Sequence, residues 1–270
     1  MTAVVPSHTH LTRRDGDGRR HTLVGNVDTA MVVMGLDGDF NPRRIERYVA
    51  LLQGTGITPV VVLTKRDVAA ATQELLDAKL DLLKGRVNPG IDVLAVDATH
   101  VSTAGSLALY CTRGQTLVML GSSGAGKSTL TNTLLGASVQ DTGGVRASDS
   151  LGKHTTTTRS LHRLPGGGCV IDTPGVRTLQ ADSDQATIAA SFEDIEALAP
   201  HCHFRDCTHQ DEPDCAVRVA IAPDRLRNYH KLMREARRDT LSWLQRREQL
   251  AMWKARGRAG RARANDKRSV

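Results

Sequence analysis

Residues 121–128 read Gly-Ser-Ser-Gly-Ala-Gly-Lys-Ser, directly after the apolar run Thr116–Leu120 and directly before an amphipathic stretch ending at Leu135. This G-x-x-x-x-G-K-S spacing between strand and helix constrains the fold more than any other feature of the chain. Backbone amides of Gly121, Ser122, Ser123, Gly124, Ala125 and Gly126 can close around a β-phosphate. The positive end of the following helix points at the same charge. Lys127 reaches the β- and γ-phosphates, the Ser128 hydroxyl ligates Mg²⁺, and Thr129 continues the first helical turn. Such a loop needs a parallel sheet to sit on, and the flanking sequence supplies one.

Apolar strands alternate with helices on both sides of the loop. Val27–Met34, Pro59–Leu63, Val93–Val96 and Thr116–Leu120 read as strands. Pro42–Leu52, Val68–Leu83, Ser102–Tyr110 and Gly126–Leu135 read as helices. The pattern predicts an α/β domain, a parallel sheet with helices on both faces. Leu161–Leu164 and Cys169–Ile171, joined by Pro-Gly-Gly-Gly, predict a hairpin. The first 25 residues are polar, without periodicity. From Phe192 the pattern changes to helices around a Cys/His cluster. The expected divisions are 1–25, a polar stub; 26–188, the α/β domain; 189–250, a small helical metal-binding domain; and 251–270, a basic, disordered tail.

Thr64-Lys-Arg-Asp follows the strand Pro59–Leu63 and fits the N/T-K-x-D pattern that reads guanine. An Asp67 carboxylate there accepts two hydrogen bonds that adenine cannot supply, so the wrong base leaves a buried group unpaired. The Lys65 stem packs along the base, with Thr64 and Arg66 completing the loop. A helix-capping Asp67 is the plain alternative. Ala98, at the end of the next strand, can offer a backbone amide to the base.

Asp172-Thr-Pro-Gly closes the strand Cys169–Ile171 and fits D-x-x-G. Asp172 would reach Mg²⁺ through water, and the Gly175 amide would sense a γ-phosphate. Residue 176 is Val, where a Gln often orients the attacking water, so the isolated protein is expected to turn over slowly. The run 152–158, Gly-Lys-His-Thr-Thr-Thr-Thr, offers Thr156 as a second Mg²⁺ ligand and His154 as the group that replaces the Gln. A solvated loop histidine is the alternative for His154.

The base motif precedes the phosphate loop, the reverse of the ordinary order, which implies a circular permutation. All these loops fall at the C-terminal ends of parallel strands, so a permuted chain builds the same site.

Of five cysteines, Cys202, Cys207 and Cys215 crowd together with histidines among them. Cys202-x4-Cys207-x-His209-x5-Cys215 supplies a Cys₃His set suited to a structural Zn²⁺, with His201 and His203 as spare candidates. The formal net charge is +7, and residues 254–270 form a tail dense in Arg and Lys. That balance favours a polyanionic partner. No apolar run is long enough to span a bilayer, and the start lacks the apolar middle of a signal peptide, so a cytoplasmic protein is expected, with no membrane partner.

LDGDFNPRRIERY (36–48), TKRD, GSSGAGKST, GKHTTTTR, DTPGVR and CHFRDCTHQDEPDCAV together resemble the RsgA (YjeQ) family of circularly permuted GTPases. The resemblance runs from about Asn26 to Glu235. It implies GTP hydrolysis stimulated by the small ribosomal subunit, with GTP, GDP and rRNA as partners and the protein acting as a monomer. It also implies Mg²⁺, zinc at Cys202, Cys207, His209 and Cys215, and a switch-loop histidine at His154. Members usually begin with an OB-fold barrel. The stub at 1–25 is too short for one and reads as its last segment. The alternative reading is an RNA-binding scaffold that senses GTP with negligible turnover.

Overall fold

The computed structural model describes residues 5–14, 20–69, 72–138, 160–172, 184–240 and 252. Its centre is a six-stranded sheet in the order β5-β4-β3-β6-β8-β7. The strands are β3 (Thr29–Gly35), β4 (Thr58–Thr64), β5 (Asp92–Ala95), β6 (Thr116–Leu120), β7 (Ser160–Arg163) and β8 (Cys169–Asp172). All neighbours pair in parallel except β7, which closes one edge antiparallel to β8. Every residue of β3 is buried, as a strand covered on both faces requires.

Each face of the sheet carries its own core. On one side α1 (Pro42–Leu52) and α3 (Gln73–Lys84) bury Ile45, Val49, Leu52, Leu76 and Leu83 against Val32, Val61 and Leu63. On the other, α4 (Ser102–Ser106) and α5 (Lys127–Leu135) cover Met31, Val33, Val62 and Met119. Alternate residues of one strand thus point into different cores, the period-two consequence of the pleat.

Helix α1 has the predicted limits, with Pro42 at its first turn where the missing amide costs nothing. The helix read over Val68–Leu83 is two elements, α2 (Arg66–Ala69) and α3. The Thr72 hydroxyl accepts the Leu75 amide (3.3 Å) and starts α3 afresh. The stretch Ser102–Tyr110 likewise divides into α4 and a 3₁₀ turn at Ala108–Cys111.

The beginning of the chain, read from the sequence as a polar stub, carries a pair of strands. β1 (His10–Arg14) and β2 (Arg20–Gly25) pair antiparallel, burying Leu11 and Val24. The Thr9 hydroxyl ties this pair to the main sheet by bonding both the amide and the carbonyl of Val27 (2.8 Å each). Strands this short, with few apolar residues, give no readable alternation.

A third core lies beyond the sheet. Helices α6 (Gln185–Ala190), α7 (Glu193–Leu198), α8 (Ala216–Ala220) and α9 (Pro223–Thr240) surround Phe192, which is fully buried with its ring edge-on to Tyr229. Ala50 of α1 belongs to this core as well, so α1 is packed on both sides.

Candidate functional site

The C-terminal ends of β3, β4, β5, β6 and β8 lie along one edge of the sheet. Register fixes their relative heights: Gly35 is level with Thr64, Leu63 with Ala95 and Val32 with Leu120. The phosphate loop therefore emerges at the middle of the edge, between the ends of β3 and β8.

Two glycines shape that loop. Gly121 has φ +147°, and a Cβ there would lie 2.2 Å from the Val33 carbonyl oxygen. Gly126, at φ +89°, caps α5, and a Cβ would press on the Thr64 hydroxyl at 3.1 Å. Both positions require the absence of a side chain. The Lys127 ammonium donates to the carbonyls of Gly121 (2.9 Å) and Ser122 (2.5 Å), arching over the loop. Ser123 and Gly124 are exposed at its tip, and Ser128 and Thr129 are half-buried in the first turn of α5.

The base-reading motif touches the phosphate loop directly. Thr64 is fully buried, and its hydroxyl donates to the Ala125 carbonyl at 2.6 Å. Lys65 takes a left-handed φ of +61°. Its ammonium lies 2.6 Å from Asp37 Oδ2, and this bond holds the Asp37 carboxyl below its ordinary 3.8. Arg66 and Asp67 are exposed at the start of α2. Ala98 is buried, its carbonyl accepting from the Thr133 hydroxyl of α5 (2.5 Å). Asp172 ends β8 opposite Ser160. His154, Thr156 and Gly175 lie outside the described residues.

Sequence reasoning missed two members of this edge. Asp37 and Asp39 sit in the loop after β3. One holds Lys65, while the other accepts from the Ser122 hydroxyl (2.5 Å) and pairs with Arg44 of α1 (2.5 Å). The signal was present as Asp-Gly-Asp after a buried strand, but nothing local in it names a partner 28 or 83 residues away.

The Cys/His cluster forms a second site against α8. The ligand atoms of Cys202, Cys207, His209 and Cys215 all lie within 4.8 Å of one another. Cys202 Sγ and Cys215 Sγ are 3.8 Å apart, and His209 Nδ1 is 3.5 and 3.4 Å from them. A tetrahedral centre with bonds of about 2.3 Å to sulfur and about 2.0 Å to nitrogen has edges of about 3.8 and 3.5 Å, so the group could hold a metal ion. Burial holds His209 below its ordinary 6.5, favouring the neutral ring that ligates. The loop between the ligands is tied by Glu212, which accepts from the Thr208 hydroxyl and from the amides of Thr208, Gln210 and Asp211. Those bonds, led by the Thr208 hydroxyl, draw its carboxyl down to about 2. His209 and Asp214 both have left-handed φ, which folds the loop back on itself.

The sheet order, the loop between β6 and α5 and the contact from Thr64 define a P-loop nucleotide-binding fold whose strands run in circularly permuted order. Solved structures of the same architecture include "YloQ, a circularly permuted GTPase", which has 22% sequence identity, a TM-score of 0.59 and coverage of 90% of this chain and 83% of that one. The chain belongs to the RsgA GTPase family, whose sequence model matches residues 4–182. A relative from Xylella fastidiosa (strain 9a5c), named small ribosomal subunit biogenesis GTPase RsgA, is 48% identical over 242 residues, covering 87% of this chain and 70% of the relative. One of the same name from Xanthomonas oryzae pv. oryzae (strain MAFF 311018) is 46% identical over 239 residues, and the chain spans 65% of its length. The crystal structure of YjeQ from Thermotoga maritima is 26% identical with a TM-score of 0.61, over 87% of this chain and 77% of that one.

Proposed function

We propose that this protein binds GTP at the loop edge of the sheet and hydrolyses it when docked on the small ribosomal subunit, during a late step of that subunit's maturation. The observation that carries the nucleotide reading is the Thr64–Ala125 hydrogen bond, which joins a base-reading loop to a phosphate loop although the chain meets them in reversed order. The ribosomal part rests on the name borne by relatives in the same family.

In this reading Lys127 exchanges the carbonyls of Gly121 and Ser122 for phosphate oxygens, and the amides from Gly121 to Gly126 surround the β-phosphate. Ser128 and Thr156 would hold Mg²⁺, with Asp172 reaching it through water; the ion neutralises charge on the transferred phosphoryl group. Gly175 senses the γ-phosphate, and His154 positions the attacking water in place of a Gln. Asp67 selects guanine, and the Lys65 stem lies along the base after exchanging Asp37 for it. Cys202, Cys207, His209 and Cys215 would hold a structural Zn²⁺, which closes the loop between α7 and α8. The protein acts as a cytoplasmic monomer whose partners are GTP, GDP and the subunit's rRNA. Among the described residues, no helix is long and apolar enough to cross a membrane.

The test is steady-state GTP hydrolysis with and without purified small ribosomal subunits. Strong stimulation is the expected result. Intact GTP binding without stimulation would overturn the ribosomal reading, and turnover that stays negligible would favour a GTP-sensing scaffold.

A further inference from the structure

Helices α1 and α9 border a groove of about 570 Å³, open to solvent and lined also by Gln210 of the loop between Cys207 and Cys215. Its walls are cationic. Arg43, Arg44 and Arg47 come from α1, and Arg227, Lys231 and Arg234 from α9. Among the described residues, no carboxylate and no apolar side chain lines it. Two of the six cations are partly neutralised, Arg44 by Asp39 at 2.5 Å and Arg47 by Glu235 at 2.6 Å. Arg43, Arg227, Lys231 and Arg234 are exposed and form no ion pair with any described residue.

Packing holds these like charges together. Asn228 is buried between the helices, and its amide donates to the Arg43 carbonyl (3.1 Å) and to Glu46 (2.5 Å). The core that α1 shares with α9 therefore holds two sets of cations on the walls of one groove, an arrangement that a bound anion stabilises. On α9 the row Arg227, Lys231, Arg234 follows i, i+4, i+7, so it runs about 10 Å along one helix face. A line of charge of that length fits a linear polyanion better than a single phosphate. Guanidinium forks and side-chain amides are the groups that grip phosphate and sugar. Among the described residues that line it, His230 brings the only ring, and no Trp, Tyr or Leu is there to anchor a protein partner.

The groove also connects to the nucleotide edge. Arg44, in its wall, pairs with Asp39, and Asp39 accepts the hydroxyl of Ser122 in the phosphate loop. Arg44 thus neutralises a carboxylate that stands against the place where phosphates would bind.

We propose that the α1–α9 groove is an RNA phosphate-backbone site, and that RNA bound there draws Arg44 away from Asp39 and so weakens the hold on GDP at the phosphate loop after hydrolysis. The inference deepens the ribosomal reading and rests on it for the choice of RNA as the polyanion. Linkage makes the effect mutual: GDP weakens the hold on RNA by the same factor.

The experiment uses the full chain and a fluorescein-labelled RNA hairpin, with anisotropy measured over a range of KCl concentrations. The triple variant Arg227→Gln, Lys231→Gln, Arg234→Gln is expected to keep its melting temperature and its GDP affinity in the absence of RNA. The slope of log K against log salt should flatten by about 2–3, at roughly 0.7–0.9 for each phosphate that the variant no longer neutralises. Saturating hairpin should lower the wild-type affinity for a fluorescent GDP analogue about fivefold or more, and Arg44→Gln should abolish that shift. An unchanged slope in the triple variant overturns the RNA site. An RNA-induced shift that survives in Arg44→Gln overturns the link to the phosphate loop. Groove-dependent binding of polyglutamate or phosphatidylserine vesicles as tight as that of RNA overturns the choice of RNA. Groove-dependent RNA binding without stimulation by small subunits leaves this inference standing and removes the ribosomal reading. Equal stimulation of wild type and triple variant, with equal slopes, does the reverse.

Discussion

Glu46 of α1 and Arg225 of α9, 179 residues apart in the chain, form a buried ion pair at 2.9 Å. The Glu46 side chain is 1% exposed and that of Arg225 7%. Glu46 also accepts from Asn228 at 2.5 Å and from Arg86 at 3.3 Å, while Arg225 grips both oxygens of Asp194 at 2.7 Å and lies over the Phe192 ring. This network ties the sheet domain to the helical module that carries the metal-site loop, with α1 as the shared element.

Removing the anion alone should be costly. In Glu46→Ala the guanidinium groups of Arg225 and Arg86 remain buried with less compensation, and breaking a buried pair in this way costs about 3–5 kcal/mol. Urea denaturation should show a midpoint lowered accordingly; a loss under about 1 kcal/mol would mean that water reaches the network.

Acid should act through Asp224 rather than Glu46. Arg86 hydrogen-bonds Asp224 at 2.7 and 3.0 Å and holds its carboxyl below the ordinary 3.8. A carboxyl lowered on folding adds stability that is complete above its unfolded pKa and is lost as pH falls through the folded one. Burial pushes Glu46 the other way, above its ordinary 4.5, so protonating Glu46 is favoured by folding and does not drive acid unfolding. Asp224→Asn should therefore cost about 1 kcal/mol at pH 7, a small figure because Asp224 is partly exposed, and nothing well below pH 3.8. Melting temperatures of both proteins between pH 7 and pH 2.5 would converge; a constant gap would refute the assignment.

Metal removal should unfold one end of the molecule first. Cys207→Ser is expected to bind about one metal ion fewer than wild type, by elemental analysis, and to lower the melting temperature. Backbone amides of the loop between Cys202 and Cys215 should lose hydrogen-exchange protection while β3 and β6 keep theirs, because the sheet core does not depend on the cluster. Full metal content in Cys207→Ser would sink the four-ligand assignment.

Base selection and loop support should separate by mutation. Asp67→Asn should shift preference from guanine to xanthine nucleotides, because the amide can donate where the carboxylate accepted. Thr64→Val should leave base preference unchanged but weaken GTP binding about 5–30-fold, since the Ala125 carbonyl loses its 2.6 Å partner. Titration calorimetry with GTP and XTP reads both. Unchanged selectivity in Asp67→Asn would count against the base-motif role.

Local signals carried the parts of the fold that depend on neighbours in sequence. The apolar runs of β3, β4 and β6, the Asn-Pro start of α1 and the glycine-framed loop at 121–126 each announce their conformation within a few residues. Motif spacing likewise marked the Cys/His cluster, because all four residues lie in one short segment. The pairing of β1 with β2 was not legible because strands this short, with few apolar residues, show no alternation.

What the sequence alone determined was therefore written at short range: the apolar strands, the glycine-framed loop between β6 and α5, and the gathering of three cysteines and a histidine in one segment. Only the tertiary structure decided that Asp37 meets Lys65, that Asp39 stands between Ser122 and Arg44, and that Glu46 anchors α9 through Arg225. A charged side chain names no partner by its type, since any opposite charge will serve. Its partner is chosen when packing of the apolar faces brings distant segments to within a few ångströms, where burial makes pairing obligatory.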